Sequence, residues 1–260
     1  MTAATVTRTV SRHALLLLGA VVMILPFIWM LTTSMEQGGF RNYAEAWKEV
    51  PFGRYFLNTL LVTFLTVLGV VVTSSLAAYA FATMRFRGSG FLFMLFLSTM
   101  MVPQPVYLVP SYIILSKLHW IDTFAALIIP WTANVFSIFL LQQHFKTIPR
   151  SLYEAALLDG CSTFGYLWRV VLPLSRSVLV TVILFDVISS WNSFMWPLVV
   201  TNSESMRVLQ VGLSYFNQEA ASNFPLLMAA STFCTLPLLV LFVLAQRQIV
   251  SSYSRSGLKD

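Results

Sequence analysis

Asp186 sits in an apolar stretch with no other charged residue between Arg176 and Glu204. A carboxylate in such surroundings is costly to maintain and by default is a functional candidate, here as an acceptor on a polar pathway. The other reading is a carboxylate near a membrane surface that pairs with Arg176 or a neighbouring chain. Just beyond it runs Trp191-Asn192-Ser193-Phe194-Met195-Trp196-Pro197-Leu198. Trp191 and Trp196 could meet the C–H faces of a sugar while Asn192 bonds its hydroxyls; equally, tryptophans near a span end anchor helices at the membrane interface. Asn134, Ser137 and Gln104 are further polar positions in apolar runs, suited to the same pathway or to joining helices by hydrogen bonds. His144 reads as interfacial rather than as a proton carrier.

This chemistry is binding, not catalysis. No Gly-x-x-x-x-Gly-Lys-Ser/Thr phosphate loop, Gly-Lys pair, His-Glu-x-x-His or Gly-x-Ser-x-Gly occurs anywhere. Cys161 and Cys234 lack metal-ligand spacing, and neither a disulfide nor a metal site is expected. ATP hydrolysis by the phosphate-loop route would have to come from another chain. Transport driven by an ion gradient would call for several buried ionisable groups, and Asp186 alone is clearly intramembrane.

The elements that must position these residues follow from composition. The 260 residues are 57% hydrophobic and 10% charged, with mean hydropathy +0.77, far more apolar surface than one soluble core can bury. Runs free of charge match the roughly 20 apolar residues that cross a bilayer. Spans are expected at about 14–33, within 55–84, from about Phe91, at 124–145, at 178–200 and at 224–246. Pro103, Pro105 and Pro110 should kink or interrupt the third. Arg8 and Arg12 precede an apolar run too long for a secretory signal, so the first span is expected to remain uncleaved.

Net charge of +6 does not point to nucleic acid, because the basic residues stand singly at span ends. Arg8, Arg12, Arg85, Arg87, Lys146, Arg150, Arg169, Arg176, Arg247, Arg255 and Lys259 fall on one side. Arg41, Lys48, Arg54, Lys117 and Arg207 fall on the other. The first set is about twice the second, which puts both termini in the cytoplasm.

Between the fourth and fifth spans, Ser151 and Glu154 have capping-box spacing, so a helix is expected from Leu152. Gly160 suits the left-handed position after its end, Ser162 or Thr163 can cap a second short helix, and Pro173 should close it. Leu152, Tyr153, Leu157 and Leu158 surround the first helix with apolar area, and Ala155 and Ala156 permit close approach. A partner surface or the lipid headgroups could cover it.

With Glu154-Ala155-Ala156, Asp159-Gly160, Leu172-Pro173, the Trp191–Leu198 run and the closing Leu244-Ala245-Gln246-Arg247, the chain resembles permease subunits of binding-protein-dependent carbohydrate ABC importers, the maltose and glycerol-3-phosphate branch. Cys161 and Ser177 depart from the usual alanine and proline. The resemblance implies an all-α, six-helix type I permease: a cytoplasmic N-terminus 1–13, a transmembrane domain 14–250 with coupling loop 149–173, and a tail 251–260. It implies that Glu154, Ala155, Ala156, Leu158, Asp159 and Gly160 dock on an ATPase subunit, and that Asn217, Gln218 and Glu219 face an extracytoplasmic solute-binding protein. A second homologous permease, two ATPase subunits holding ATP and Mg, and membrane lipid complete the expected partners. No cofactor is expected in this chain, and its expected location is a prokaryotic cytoplasmic membrane.

Overall fold

Prolines and small polar residues decide where the long apolar runs break. The structure, a computed structural model, describes the backbone of residues 3–219 and 223–256 and the side chains of residues 11–215 and 223–246. In chain order the helices are α1 (Ala3–Ser34), α2 (Phe40–Glu49), α3 (Phe52–Thr83), α4 (Ser89–Thr99), α5 (Gln104–Lys117), α6 (Phe124–Ile128), α7 (Val135–Phe145) and α8 (Arg150–Leu158), then α9 (Thr163–Tyr166), α10 (Leu172–Leu174), α11 (Arg176–Trp191), α12 (Met195–Val200), α13 (Leu209–Glu219) and α14 (Phe224–Ser256). Among the described residues, Ser11–Ser34, Phe52–Thr83, Phe124–Phe145 and Phe224–Gln246 are long and apolar enough to cross a membrane. Two bent pairs, α4 with α5 and Thr163–Leu174 with α11, raise the number to six if each is one span.

The chain forms two compact units, residues 1–53 with 212–237 and residues 54–211 with 238–260. In the first, the best apolar window of α1 is 0% buried. A helix apolar all round that its own chain leaves uncovered needs lipid or a partner's apolar surface as its solvent. At its end, the Ser34 hydroxyl shares a 2.6 Å hydrogen bond with the Tyr43 hydroxyl. Asn42 Nδ2 donates to the Ser34 and Glu36 carbonyls, each at 2.9 Å, which fixes α2 against the end of α1. Tyr43, Trp47 and Phe52 surround the Phe233 ring, with centroids at 5.8, 5.2 and 5.9 Å.

In the second unit, α4 and α5 meet at a bend of 98°, the interruption that the prolines predict. Pro103 is the N-cap of α5 and Pro105 follows in its first turn, where a missing N–H costs nothing. Between α6 and α7 a 3-10 turn over Ile129–Trp131 carries Pro130. The Thr73 hydroxyl donates to the Thr132 carbonyl at 2.6 Å, satisfying one group freed by that break.

Several expectations need correction. The fifth apolar run is not one helix over 178–200: α11 ends at Trp191, and α12 starts afresh at Met195. Asn192 Nδ2 donates to the Ile188 carbonyl at 2.9 Å and so competes with helix continuation. Pro173 does not close the second short helix. Its ring would crowd the Arg169 carbonyl, and the chain instead widens into a π-helical turn over Leu167–Val171 and continues through α10. The bend of 82° into α11 comes at Ser175, whose hydroxyl donates to the Val171 carbonyl at 2.7 Å. After Thr201 the chain forms a further helix, α13.

The loop before α6 is tied to the loop after α12. Asp122 has a positive φ of 61°, and its Oδ1 accepts from the amides of Asn202 at 2.9 Å and Ser203 at 3.0 Å. Its amide donates to the Val200 carbonyl at 2.8 Å. Partial burial opposes the Asp122 carboxylate, yet the hydrogen bonds from Ser203 and Asn202 outweigh it and hold the carboxyl below its ordinary 3.8. Asp122→Ala leaves both amides without their acceptor and is expected to lower the melting temperature in detergent by a loss of about 1 kcal/mol. Because the folded value is lowered, the contribution is complete above pH 3.8 and disappears as pH falls through the folded value, so wild type and variant should converge in acid.

A Cβ at Gly69 would lie 2.6 Å from Thr132 Cγ2 and 2.7 Å from Thr132 Cβ. Helix propensity alone favours alanine at such a position by roughly 1 kcal/mol, but overpacking costs about 1–3 kcal/mol. Gly69→Ala should therefore lower the melting temperature, and a rise would refute this close approach.

Candidate functional site

Two features of the second unit can do work. The first is a cavity of about 380 Å³ whose lining includes Thr59, Thr66, Gln104, Trp131, Asn134, Asp186, Asn192 and Trp196. It lies where the breaks after α4, α6 and α11 converge, because each break exposes polar groups that a continuous helix would turn inward.

Asp186 is its anchor at 6% exposure. One carboxylate oxygen accepts from Asn134 Nδ2 at 2.9 Å, and the other accepts from the Ser137 hydroxyl at 2.8 Å. Asn134 is also the N-cap of α7, its Oδ1 accepting from the Ser137 amide at 3.2 Å. The carboxylate thus lies near a helix N-terminus, where the helix dipole favours negative charge. Arg176 is not among these partners; the pairing comes from two polar residues of α7 and its cap. Each carboxylate oxygen retains accepting capacity for a solute hydroxyl.

Of the other candidates, Gln104, Asn192 and Trp196 line the same cavity. Trp196 Nε1 donates to the Ala126 carbonyl at 2.9 Å, and its ring meets Trp131 edge-on at 5.8 Å. Trp191 is not in the lining; it is buried and packs edge-on against Phe56 at 5.7 Å. Ser137 acts from behind Asp186. Asn217, Gln218 and Glu219 end α13, and their side chains lie outside the described residues.

Sequence reasoning missed Thr66 and Trp131. Thr66 Oγ1 and Trp131 Nε1 are buried with no hydrogen-bond partner among the described residues, and both residues line the cavity. A buried polar atom without a partner costs about 1–3 kcal/mol, and a small side-chain rotation toward the cavity that these residues line would let each atom bond a solute there. Thr59, Thr63 and Thr66 recur at helical spacing on α3, a polar stripe that was available as a signal.

The second feature is α8. Leu158 is 90% exposed at its end, and Gly160 takes the left-handed conformation with φ 76°. The opposite face is fixed: Tyr153 meets Tyr166 edge-on at 5.1 Å, and Tyr153 and Ala156 pack on a buried cluster that includes Tyr79, Leu141, Tyr166, Leu167 and Val182. The Tyr79 hydroxyl donates to the Thr163 carbonyl at 2.9 Å, tying α3 to the turn after α8. The expected capping box is absent. Helix α8 starts at Arg150 with Pro149 as an N-cap that offers no side-chain bond. Glu154 Oε1 instead lies 3.3 Å from Arg150 Nε, one turn back. Ser162 does cap α9, accepting from the Gly165 amide at 3.0 Å.

Among the described residues no group of three or more His, Cys, Asp or Glu could hold a metal ion. Comparison with known proteins agrees with a transport role. The chain is 34% identical to the probable ABC transporter permease protein YurM of Bacillus subtilis over 89% of this chain and 76% of that one. It is 31% identical to the trehalose/maltose transport system permease protein MalG of Thermococcus litoralis, covering 96% and 98%. A bacterial ABC transporter for import of the acidic polysaccharide alginate shares the fold, with a TM-score of 0.83 at 23% identity over 95% of this chain and 98% of that chain. Residues 70–255 match the family described as binding-protein-dependent transport system inner membrane component. The chain belongs to that family and is a multi-pass, non-catalytic permease component of a binding-protein-dependent importer.

Proposed function

We propose that this chain forms half of the translocation pathway for a sugar or sugar-like solute, with α8 as the helix that docks on an ATPase subunit. The observation that carries this reading is α8 itself: one face is locked into the helical core and the other, ending in Leu158, is uncovered. A helix held that way transmits a push from outside to α3, α7 and α11 instead of yielding locally. Glu154, Ala155, Ala156, Leu158, Asp159 and Gly160 form the docking surface. Two ATPase subunits that hold ATP and Mg, and a second homologous permease, complete the assembly.

The sugar class is supported by relatives such as the Thermococcus trehalose/maltose permease and the arabinooligosaccharide permease AraQ of Bacillus subtilis, 32% identical over 79% of this chain. It is supported also by the mixed lining of the cavity, in which aromatic rings adjoin carboxylate, amide and hydroxyl groups. Asn217, Gln218 and Glu219 are assigned to contact with the solute-binding protein. The basic residues at the ends of α3 and α7 mark the cytoplasmic side of a prokaryotic cytoplasmic membrane.

Since Glu154 is not a helix cap, its substitution tests docking more cleanly than the sequence suggested. Glu154→Ala removes an exposed i,i+4 pair worth about 0.3–0.5 kcal/mol, and Leu158→Asp alters a side chain with almost no protein contact. Both should reduce ATPase co-purification and uptake while membrane insertion and melting temperature stay unchanged. Normal ATPase association in Leu158→Asp would refute the docking assignment.

Thr66→Val and Trp131→Phe each remove an orphan polar atom of the cavity. A purely structural role predicts equal or greater stability with unchanged transport. The solute-contact role predicts equal stability with the uptake KM raised about 3–10-fold per lost hydrogen bond, read with purified complex in proteoliposomes.

A further inference from the structure

A second cavity, of about 270 Å³, opens at the root of α8 on the basic side of the helices. It is lined by Arg85, Lys146 and Arg150 together with Tyr153, Tyr166, and apolar groups that include Met84, Phe145 and Ile148. The three cations come from three places, the ends of α3 and α7 and the first residue of α8. Bringing like charges to one hollow is unfavourable unless something neutralises them. Of these three cations, only Arg150 has a carboxylate within ion-pair distance among the described residues, the exposed Glu154 at 3.3 Å. Lys146 Nζ has the Phe93 ring at 5.9 Å, and Arg85 has no acidic partner. The first turn of α8 adds the amides of Arg150 and Ser151, which no side chain caps, that of Leu152 already donating to the Pro149 carbonyl at 3.1 Å, and α8 is long enough for its dipole to favour an anion there.

We propose that this cavity binds the phosphate of an anionic phospholipid headgroup. Arg85 and Lys146 supply the charge, and the start of α8 supplies amide donors. A lipid source is favoured over a free anion by what surrounds the cavity. The cations follow the last turns of membrane-crossing helices, the depth at which headgroups lie. Met84 and Phe86, the chain neighbours of Arg85, stand exposed, an apolar margin suited to acyl chains and of no use to a soluble ion. Basic pockets between helices at the cytoplasmic membrane surface have the chemistry for such headgroups. Arg85 and Lys146 lie outside both the solute cavity and the docking surface of α8, so substituting them tests this site apart from the transport reading.

The test uses the complete importer complex in nanodiscs and in detergent. Phosphatidylglycerol retention is read by native mass spectrometry, against phosphatidylcholine as a neutral lipid and against glycerol phosphate and inorganic phosphate as free anions. Wild type should retain phosphatidylglycerol selectively. The double variant Arg85→Gln/Lys146→Gln should bind it roughly 25-fold more weakly, from about a factor of five per basic residue. Arg85→Lys/Lys146→Arg should restore binding, which separates charge from misfolding, and Arg54→Gln/Lys117→Gln on the opposite side should not change it. Equal retention by wild type and the double glutamine variant would overturn the proposal. Displacement of the lipid by millimolar inorganic phosphate or glycerol phosphate would overturn the lipid source and leave a free-anion site.

Discussion

Within hydrocarbon no water can satisfy a freed backbone group, so a membrane helix can break only where the protein itself supplies partners. This constraint organises the second unit. The break before α7 is held by Asn134, which caps the next helix, and by Thr73, which bonds the Thr132 carbonyl. The bend before α11 is held by the Ser175 hydroxyl, and the end of α11 by Asn192. Polar residues in these apolar runs therefore serve the backbone first. Where three breaks converge, the polar groups left over become the wall of a cavity.

The same economy explains Asp186. No cation among the described residues pairs with this carboxylate, which is tolerated because both oxygens accept hydrogen bonds and because it lies near the start of α7. Asn134 has two tasks, capping α7 with its oxygen and bonding Asp186 with its nitrogen. Binding and structure are not alternatives at this residue, since each half of the amide serves one of them. Thr66 and Trp131 show the converse, polar atoms buried without partners in residues of the cavity wall, a standing cost that a side-chain shift toward a bound solute would relieve.

Mechanical coupling depends on a different kind of contact. Helix α8 is short and exposed, and short helices are marginal by themselves. Its rigidity comes from the Tyr153–Tyr166 edge contact, from Ala156 against the buried cluster, and from the Tyr79 hydroxyl on the Thr163 carbonyl. Those contacts reach α3, α7 and α11, so displacement of α8 is felt by α3 and α11, which also line the solute cavity, and by α7, whose cap Asn134 does. The π-helical turn at Leu167–Val171 keeps this link continuous past Pro173.

The sequence by itself determined the solvent of this chain, the number of apolar runs, the proline break in the third, the αL turn at Gly160 and the family signature of the loop. These depend on composition and on residues close in sequence, where local sterics and hydrophobicity decide. It could not determine whether Ser151 and Glu154 would form a capping box. Arg150 offered Glu154 a competing partner, and the helix began two residues earlier than that motif implied. Nor could it separate Trp191, packed on Phe56, from Trp196, which borders the cavity, because the end of α11 rotates the two apart. The partners of Asp186, the orphan atoms of Thr66 and Trp131, and the convergence of Arg85, Lys146 and Arg150 join residues far apart in the chain. Only tertiary packing decides which distant side chains share a space.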